Sequence, residues 1–202
     1  MKTAKAAPSL IVGNKMKMKW TLAILFLGAL TGCLDDYSRA MLELETASNE
    51  KERFYALGES AKESFNQGKL DDAKRFATEQ LELAPEFKGN WNYGNAIHSS
   101  HVVLGRIALA QGNKGEAVDH LFLAADTPGS PQLNSFGPNL SLAHDLLREG
   151  ESEVVIKYLE LTIRFWANED NSVHKRNLKK IRYWQEQIRN GQIPDFGANM
   201  VY

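Results

Sequence analysis

The histidines are the residues of this chain best suited to chemistry by type and spacing. His98 and His101 lie three positions apart in a segment with helical periodicity, and metal sites use that spacing to place two imidazoles on one helix face. Asp119 and His120 could approach them in the folded chain, but no third ligand stands at a recognisable spacing. The same histidines could equally be polar residues at a helix contact. They are therefore weak metal candidates, and we predict no metal site.

Motifs for catalysis are missing from the sequence. It has no glycine-rich phosphate loop and no Gly-x-Ser-x-Gly segment. Its single cysteine, Cys33, stands at the end of an apolar N-terminal stretch. A hydrolase built on His98 or His144 with a serine has no geometry in the sequence to support it. We therefore expect a protein that is not an enzyme and carries no cofactor.

Three short breaks divide the chain after residue 50 into helix-length segments. Apolar residues recur at three- and four-residue spacing, and no long stretch alternates as a strand would. Gly68, Gly112 and Gly150 each stand where a helix needs a left-handed C-cap, and a new amphipathic run begins within five residues. The pattern predicts an all-α fold of helix pairs joined by tight turns.

Small residues recur at a fixed distance from these glycines. Ala61, Gly105 and Ala143 each stand seven residues before one of them, where two helices could cross closely, and Pro85 closes the first pair. This arrangement resembles the tetratricopeptide repeat, although the glycines are 44 and 38 residues apart where that repeat has a period of about 34. The repeat's signature tryptophan and tyrosine are also missing. The resemblance implies stacked antiparallel helix pairs, an α-solenoid of about three pairs with a C-terminal capping helix.

In that repeat family, the first helices of successive pairs line a concave groove. Five side chains of this chain occupy matching positions before the three glycines: Lys62, Arg106 and His144 six residues earlier, and Asn66 and Arg148 two residues earlier. The resemblance implies a row of donors along the groove, which suits a carboxylate, an acidic peptide or another anion. The same residues could equally be solvated side chains on helix surfaces.

Two segments lengthen the connections between pairs, and the chain ends in a further helix. Residues 86–94 and 127–138 lie between successive pairs, and the three prolines and two glycines of the second segment favour an ordered loop without helix. A final helix over 173–190 carries six Lys and Arg against Glu186 alone. Such a helix suits either a solvated face or contact with anionic lipid headgroups. Residues 191–202 are expected to be irregular.

The N-terminal segment has the pattern of an export signal. Lys15, Lys17 and Lys19 precede an apolar stretch of about 11 residues, which is too short to cross a bilayer as a helix. The stretch ends in the run Leu30-Thr31-Gly32-Cys33, and polar residues follow at once. This run resembles the lipobox of bacterial lipoproteins, which implies that Cys33 is lipid-modified and becomes the first residue of the mature chain.

The lipoprotein interpretation divides the chain into a signal peptide over 1–32, a tether over 33–50, which could be a frayed helix, and a repeat domain over 51–190. Without the five lysines of the signal, 19 of the 24 basic residues remain against 25 acidic ones, which does not suit a nucleic-acid binder. Leu34 follows the cysteine where inner-membrane lipoproteins carry aspartate, so family analogy favours the periplasmic face of the outer membrane. An ordinary cleaved signal, and a start at Met16 or Met18 instead of Met1, stay open.

Together these patterns predict a lipid-anchored, exported binding or scaffold module that holds a protein or an acidic peptide at the bacterial envelope. The alternative is a small envelope enzyme or ligand receptor that uses residues 127–138 and the nearby histidines. A pocket in which the histidines converge would favour the alternative. An open groove lined by Lys62, Arg106 and His144 would favour the binding module.

Overall fold

The computed structural model describes residues 34–167 and 171–201, and Cys33 with the rest of the signal pattern lies outside them. The described residues form nine α-helices and two short 3-10 helices, with no strand. Within these ranges, none of the helices combines the length and the apolarity needed to cross a membrane. The α-helices are α1 (Asp36–Thr46), α2 (Glu50–Asn66), α3 (Leu70–Leu83), α4 (Tyr93–Ala110), α5 (Lys114–Ala125), α6 (Pro131–Phe136), α7 (Ser141–Arg148), α8 (Ser152–Trp166) and α9 (Ser172–Arg189).

The longer helices form three consecutive pairs, α2 with α3, α4 with α5, and α7 with α8. Three residues join the two helices of each pair, a link that makes them antiparallel neighbours. Each pair packs against the next, and α9 packs against α8 at the end of the series. The structure confirms the prediction of an all-α fold with three helix pairs and a final helix.

The turn inside each pair is made by the glycine that the sequence marks. Gly68, Gly112 and Gly150 have φ values of +72°, +80° and +86°, the left-handed conformation that glycine adopts without steric cost. The following residue closes the helix in each case, as when the amide of Lys69 donates to the carbonyl of Ser64 over 2.9 Å. These positions confirm the three predicted C-caps.

Gly105 is a point of close approach between α4 and the neighbouring helices α5 and α7. A Cβ atom at this position would lie 2.3 Å from Cδ2 of Leu142 on α7 and 3.1 Å from Cβ of His120 on α5. The space that a side chain would need is therefore filled from two sides. Ala61 and Ala143, which hold the same place in the other pairs, are also buried.

The apolar core follows the pairs in two main clusters. One joins the first helices around Leu57, Phe76 and Ile107. The other joins the helices from α4 to α9 and includes Leu121 and Leu146, both fully buried. Burial at about 25 cal/mol per Å² of apolar surface is the main source of stability in a fold of this kind.

Residues 36–46, which the sequence interpretation placed in the tether, are instead the packed helix α1. The carboxylate of Asp35 caps its first turn by accepting from the amide of Ser38 over 2.7 Å. Ala40 and Leu44, four residues apart, are buried against α2, and the Ser60 hydroxyl donates to the Ala40 carbonyl over 3.2 Å. The surrounding acidic residues hide this short apolar stripe in the sequence.

The expectation that residues 127–138 contain no helix is wrong. Pro131 occupies the first turn of α6, where its missing N–H costs no hydrogen bond, and Ser130 caps the helix by accepting from the amide of Leu133 over 3.0 Å. Gly137 ends the helix after six residues. The prolines and glycines therefore mark the two ends of a short helix and do not prevent it.

The C-terminal segment is irregular only in part, and it is built into the core. Phe196 is buried at 1% exposure, and residues Gly197–Met200 form a 3-10 helix. The amide group of the Asn199 side chain donates to the carbonyls of Phe136 and Pro138 over 3.0 and 2.9 Å. The tail thus holds the segment between α6 and α7 in place.

Replacing Gly105 with alanine should destabilise the protein by about 1–3 kcal/mol, because the added methyl group would overlap Leu142. Gly115→Ala is the matched control, since it lies in α5 with nothing within 4 Å of its Cβ position. This control should be neutral or stabilising by up to about 1 kcal/mol. Urea unfolding of both variants measures the difference, and equal stabilities would show that the helices do not cross closely at Gly105.

Candidate functional site

A groove lies between α2, α4 and the segment that connects α5 with α7. Its cavity volume is about 290 Å³. About half of the residues that line it have neutral polar side chains, and aromatic residues lie at several places along it. The polar side chains in the lining, charged ones included, are Tyr55, Glu59, Lys62, Gln80, Asn92, Asn95, His98, Ser99, Arg106, Gln132, Asn139 and Ser141, and the aromatic and apolar ones are Phe65, Trp91, Val102, Val103 and Leu133.

Two of the predicted groove residues, Lys62 and Arg106, line this groove. Lys62 lies on α2 between two carboxylates: its Nζ is 2.5 Å from Oε1 of Glu59 and 3.4 Å from Oε1 of Glu63. Burial acts to lower the pKa of Lys62, but the two carboxylates outweigh it and hold the pKa above its usual value. Lys62 is therefore a cation whose charge is already balanced inside the groove.

Arg106 is fixed from two directions. Its Nε donates to Oδ2 of Asp145 on α7 over 2.9 Å, and its guanidinium carbon lies 4.4 Å from the centre of the Phe65 ring on α2. Both partners of the ion pair are about three-quarters buried. A charge-assisted bond and a cation–π contact therefore hold one planar donor group in a single orientation between two helix pairs.

The other three predicted residues do not line the groove. His144 lies on α7 beside the carboxylate that Arg106 binds, with Nδ1 3.7 Å from Oδ1 of Asp145. Asn66 is exposed and donates to Glu63 over 3.2 Å, and Arg148 is exposed at the end of α7. The first turn of α7 reaches the groove through Ser141, and the later residues of this eight-residue helix do not line it.

The groove is thus not the row of unpaired donors that the repeat resemblance implies. Lys62 pairs with Glu59 and Glu63, and Arg106 pairs with Asp145. The carboxylates around the two cations therefore outnumber them. An anion entering the groove would have to compete with Glu59 or Asp145 for its contact. The chemistry left for a ligand is that of amides, hydroxyls and aromatic rings.

One end of the groove is aromatic. The Trp91 side chain is 57% exposed, and its ring centre lies 5.7 Å from that of Tyr55. The Tyr55 hydroxyl accepts from the side chain of Asn90 over 2.7 Å, which fixes the tyrosine ring. Large, half-wet aromatic rings of this kind are common at binding surfaces because they offer apolar area at low entropic cost.

The sequence interpretation did not identify Trp91 or the amides around it as groove residues. Asn92, Asn95 and Ser99 recur at three- and four-residue spacing along the first turns of α4. In the sequence, the available signal was this polar stripe next to Trp91. Gln132 and Asn139 enter from the connecting segment, and no local pattern marks them.

His98 lies at the floor of the groove and is fully engaged with the backbone. Its Nε2 accepts from the amide of Asn139 over 3.0 Å, so its Nδ1 carries the proton and donates to the carbonyl of Ala124 over 2.8 Å. Burial lowers the pKa of His98 to about 4, and the bond that its Nδ1–H donates to the Ala124 carbonyl offsets only part of this effect. A neutral imidazole with both nitrogens occupied has none left for a metal or a proton transfer.

His101 and His120 form a second, separate pair that joins α4 to α5. Their Nδ1 atoms lie 3.1 Å apart, so one must donate and the other accept. Burial, and after it the neighbouring His120 and His98, lowers the pKa of His101 to about 4, and burial also lowers the pKa of His120. Within the described residues, no three His, Cys, Asp or Glu side chains are placed to hold a metal ion. The histidines do not converge in one pocket.

Comparisons with known proteins add no assignment to this geometry. No family model matches the chain, and neither a curated protein nor a solved structure does. The groove and the sequence patterns of the chain are therefore the basis of the functional proposal.

Acidification should destabilise this protein in a range set by its buried histidines. His98 and His101 have folded-state pKa values of about 4 against 6.5 for a free imidazole, so the unfolded chain binds more protons between these values. The free energy of unfolding should fall as the pH decreases from 6.5 towards 4, by up to about 1.4 kcal/mol per pH unit for each histidine.

The variant His101→Gln tests this assignment. Glutamine keeps a hydrogen-bonding group beside His120 but removes one titrating imidazole, so the decline of unfolding free energy with falling pH should become shallower by about one proton. Denaturant unfolding at several pH values measures the slope. Arg148→Gln, an exposed substitution, should keep the original slope. An unchanged slope in His101→Gln would contradict the assignment.

Proposed function

We propose that this chain is a lipid-anchored, exported binding module that holds a partner protein at the bacterial envelope by binding an extended segment of it in the groove. The observation that carries the proposal is the composition of the groove wall: neutral amides and hydroxyls surround two cations that are already paired. The lipobox resemblance at Cys33 supports the anchor, and the analogy at Leu34 supports the periplasmic face of the outer membrane.

An amide-lined groove suits a peptide backbone. Each Asn or Gln side chain offers both a donor and an acceptor, as each peptide unit of an extended chain requires. Asn95, Ser99 and Gln132 are half-buried in the lining, so bonds made to them are partly shielded from competing water. Recognition through main-chain groups gives affinity, and side-chain pockets along the groove give specificity.

The groove is organised before a ligand arrives. The buried Gln80 side chain donates to the Phe54 carbonyl over 2.9 Å and accepts from the Ser100 hydroxyl over 2.7 Å. Arg106 is held between Phe65 and Asp145 as described above. A wall that is already ordered loses little entropy on binding, which favours a useful affinity from a small contact area.

The exposed Trp91 indicates one feature of the partner. A side chain with a flat or apolar face, such as an aromatic or a proline, could pack on the Trp91 and Tyr55 rings. The original expectation of an acidic peptide is weakened, since Arg106 and Lys62 are engaged by Asp145 and Glu59. We therefore propose a largely uncharged, polar segment with an aromatic or apolar side chain at the Trp91 end.

A small-ligand receptor is the second candidate, favoured by one observation. Gln132 and Leu133 of the 127–138 segment line the groove, and the cavity of about 290 Å³ is near the size of a small-molecule site. An enzyme is less well supported, because His98 has no nitrogen free for catalysis. The stacked helix pairs and their glycine turns support the tetratricopeptide resemblance, but they serve either candidate equally.

A photo-crosslinking amino acid at position 95 tests the peptide hypothesis in intact cells. The full chain should crosslink to one short, contiguous segment of a partner protein, and Trp91→Ala should reduce the yield by about tenfold or more. Folding should be retained because Trp91 is 57% exposed. The matched control places the crosslinker at position 123, an exposed leucine outside the groove, where no such product should form.

The result also separates the two candidates. Crosslinks scattered over many unrelated proteins, or a yield that Trp91→Ala does not change, would contradict the peptide hypothesis. A bound small molecule recovered with the protein, with no partner segment crosslinked, would replace it with the receptor hypothesis.

The anchor is tested independently by Cys33→Ser. Without the thiol, lipid cannot be attached, so the protein should leave the membrane fraction or accumulate with its signal uncleaved. Thr31→Ala is the control, because it keeps a small residue at that place and should keep the protein in the membrane fraction. Unchanged fractionation and processing of Cys33→Ser would refute the lipoprotein assignment.

A further inference from the structure

The outer face of α9 is a basic stripe with an exposed aromatic residue. Arg176, Lys179, Lys180 and Tyr183 recur at spacings of three and four residues, so they share one side of the helix. All four are exposed, Tyr183 at 63%. The stripe extends about 10 Å along the helix axis.

The orientation of this face is fixed by the opposite side of the helix. Ile181, Trp184 and Ile188 are buried in the core, and the Asn177 side chain donates to the Trp166 carbonyl over 3.0 Å. The Gln185 side chain adds a bond to the Ile156 carbonyl over 3.0 Å. The helix cannot turn its basic stripe inward without breaking these contacts.

Among the described residues, no carboxylate pairs with the cations of the stripe. Neither Arg176 nor Lys179 has an ion pair with a carboxylate of the described residues, whereas Arg182 on the neighbouring flank pairs with Glu160. The Lys180 ammonium lies 4.7 Å from the Trp184 ring centre and donates to Asn199 over 3.0 Å, so its partners are also uncharged. Glu186, the one acid of the helix, lies beyond Tyr183 and is 3.8 Å from Arg189.

Lys180 lies partly buried against the tryptophans and close to the charge of Arg176. Its pKa is lowered, first by burial of its side chain against the tryptophans and then by the charge of Arg176. Cations held close together without a counter-charge attract an external anionic surface. In the groove, by contrast, Lys62 and Arg106 each have a carboxylate partner.

We propose that the α9 stripe, Arg176, Lys179, Lys180 and Tyr183, binds the anionic headgroups of a lipid bilayer. The stripe lies on the convex outside of a helix, and none of its four residues lines the groove, where an anchoring side chain of a protein partner would be enclosed. A flat field of negative headgroups needs no pocket, and a tyrosine ring suits the headgroup level of a bilayer. Contacts of this kind are individually weak, so the stripe would orient a chain that is already held at the membrane.

The proposal is tested with the full 202-residue chain reconstituted into vesicles. One set is phosphatidylcholine alone, and the other contains about 30 mol% phosphatidylglycerol. Lysines are acetylated briefly at low salt and quantified by mass spectrometry. Acetylation of Lys179 should be roughly threefold lower in the anionic vesicles, while the exposed Lys74 and Lys88 should react equally in both.

Two further arms make the outcome decisive. About 0.5 M NaCl should remove the protection of Lys179, because salt screens an exposed contact. The double variant Arg176→Gln, Tyr183→Ser should also reduce the protection of Lys179. Lys74→Gln is the control variant and should leave that protection unchanged. Equal acetylation of Lys179 in both vesicles would overturn the proposal. Equal protection by soluble polyglutamate with neutral vesicles would also overturn it, in favour of a general anion site. The comparison does not depend on the groove. It rests on the proposed anchor, so co-sedimentation is measured first: loss of the chain from both vesicle sets marks a failed anchor, and equal acetylation of Lys179 on chain that is bound to both sets marks a failed stripe.

Discussion

The bonds made by the buried imidazole of His98 join α4, which forms the floor of the groove, to the end of α5 and to the connecting segment that forms one of its walls. One nitrogen bonds the end of α5 through the Ala124 carbonyl, and the other bonds the segment before α7 through the Asn139 amide. Neither backbone group has a regular partner in a helix at that point, so the histidine satisfies both. Only an uncharged imidazole with its proton on Nδ1 can accept and donate in this way. The shape of the groove therefore depends on a histidine that takes no part in ligand chemistry.

The protein uses its charged groups differently in two places. In the groove, Lys62 and Arg106 are held by carboxylates from their own and neighbouring helices, so their geometry is fixed and their net charge is small. On α9, Arg176 and Lys179 face outward and have no ion pair among the described residues. The first arrangement favours selective binding of a polar, largely uncharged segment, and the second favours loose contact with an anionic surface. The membrane-anchored module that we propose would use both.

Local sequence patterns were sufficient for much of the fold. The positions of Gly68, Gly112 and Gly150 predicted the turns of all three pairs, because a left-handed C-cap depends on a few consecutive residues. The same kind of reasoning failed at residues 127–138, since a proline was taken as a helix breaker where Pro131 begins a helix. It also failed at α1, where only Ala40 and Leu44 are buried and the acidic residues around them dominate the pattern. Short helices stabilised mainly by tertiary contacts leave a weak signal in sequence.

The sequence by itself determined the helices of the three pairs and α9, their order, the turns inside the pairs and the close approach at Gly105, because these features follow from periodicity and from backbone preferences within a few residues. It also placed Lys62 and Arg106 on matching positions. Only the tertiary structure decided what those side chains do. Asp145 reaches Arg106 across 39 residues of sequence, and Gln132 and Asn139 come to face α2 through the path of the connecting segment. Whether a cation is available to a ligand depends on distances of a few ångströms between separate helices, and packing of the whole chain sets those distances.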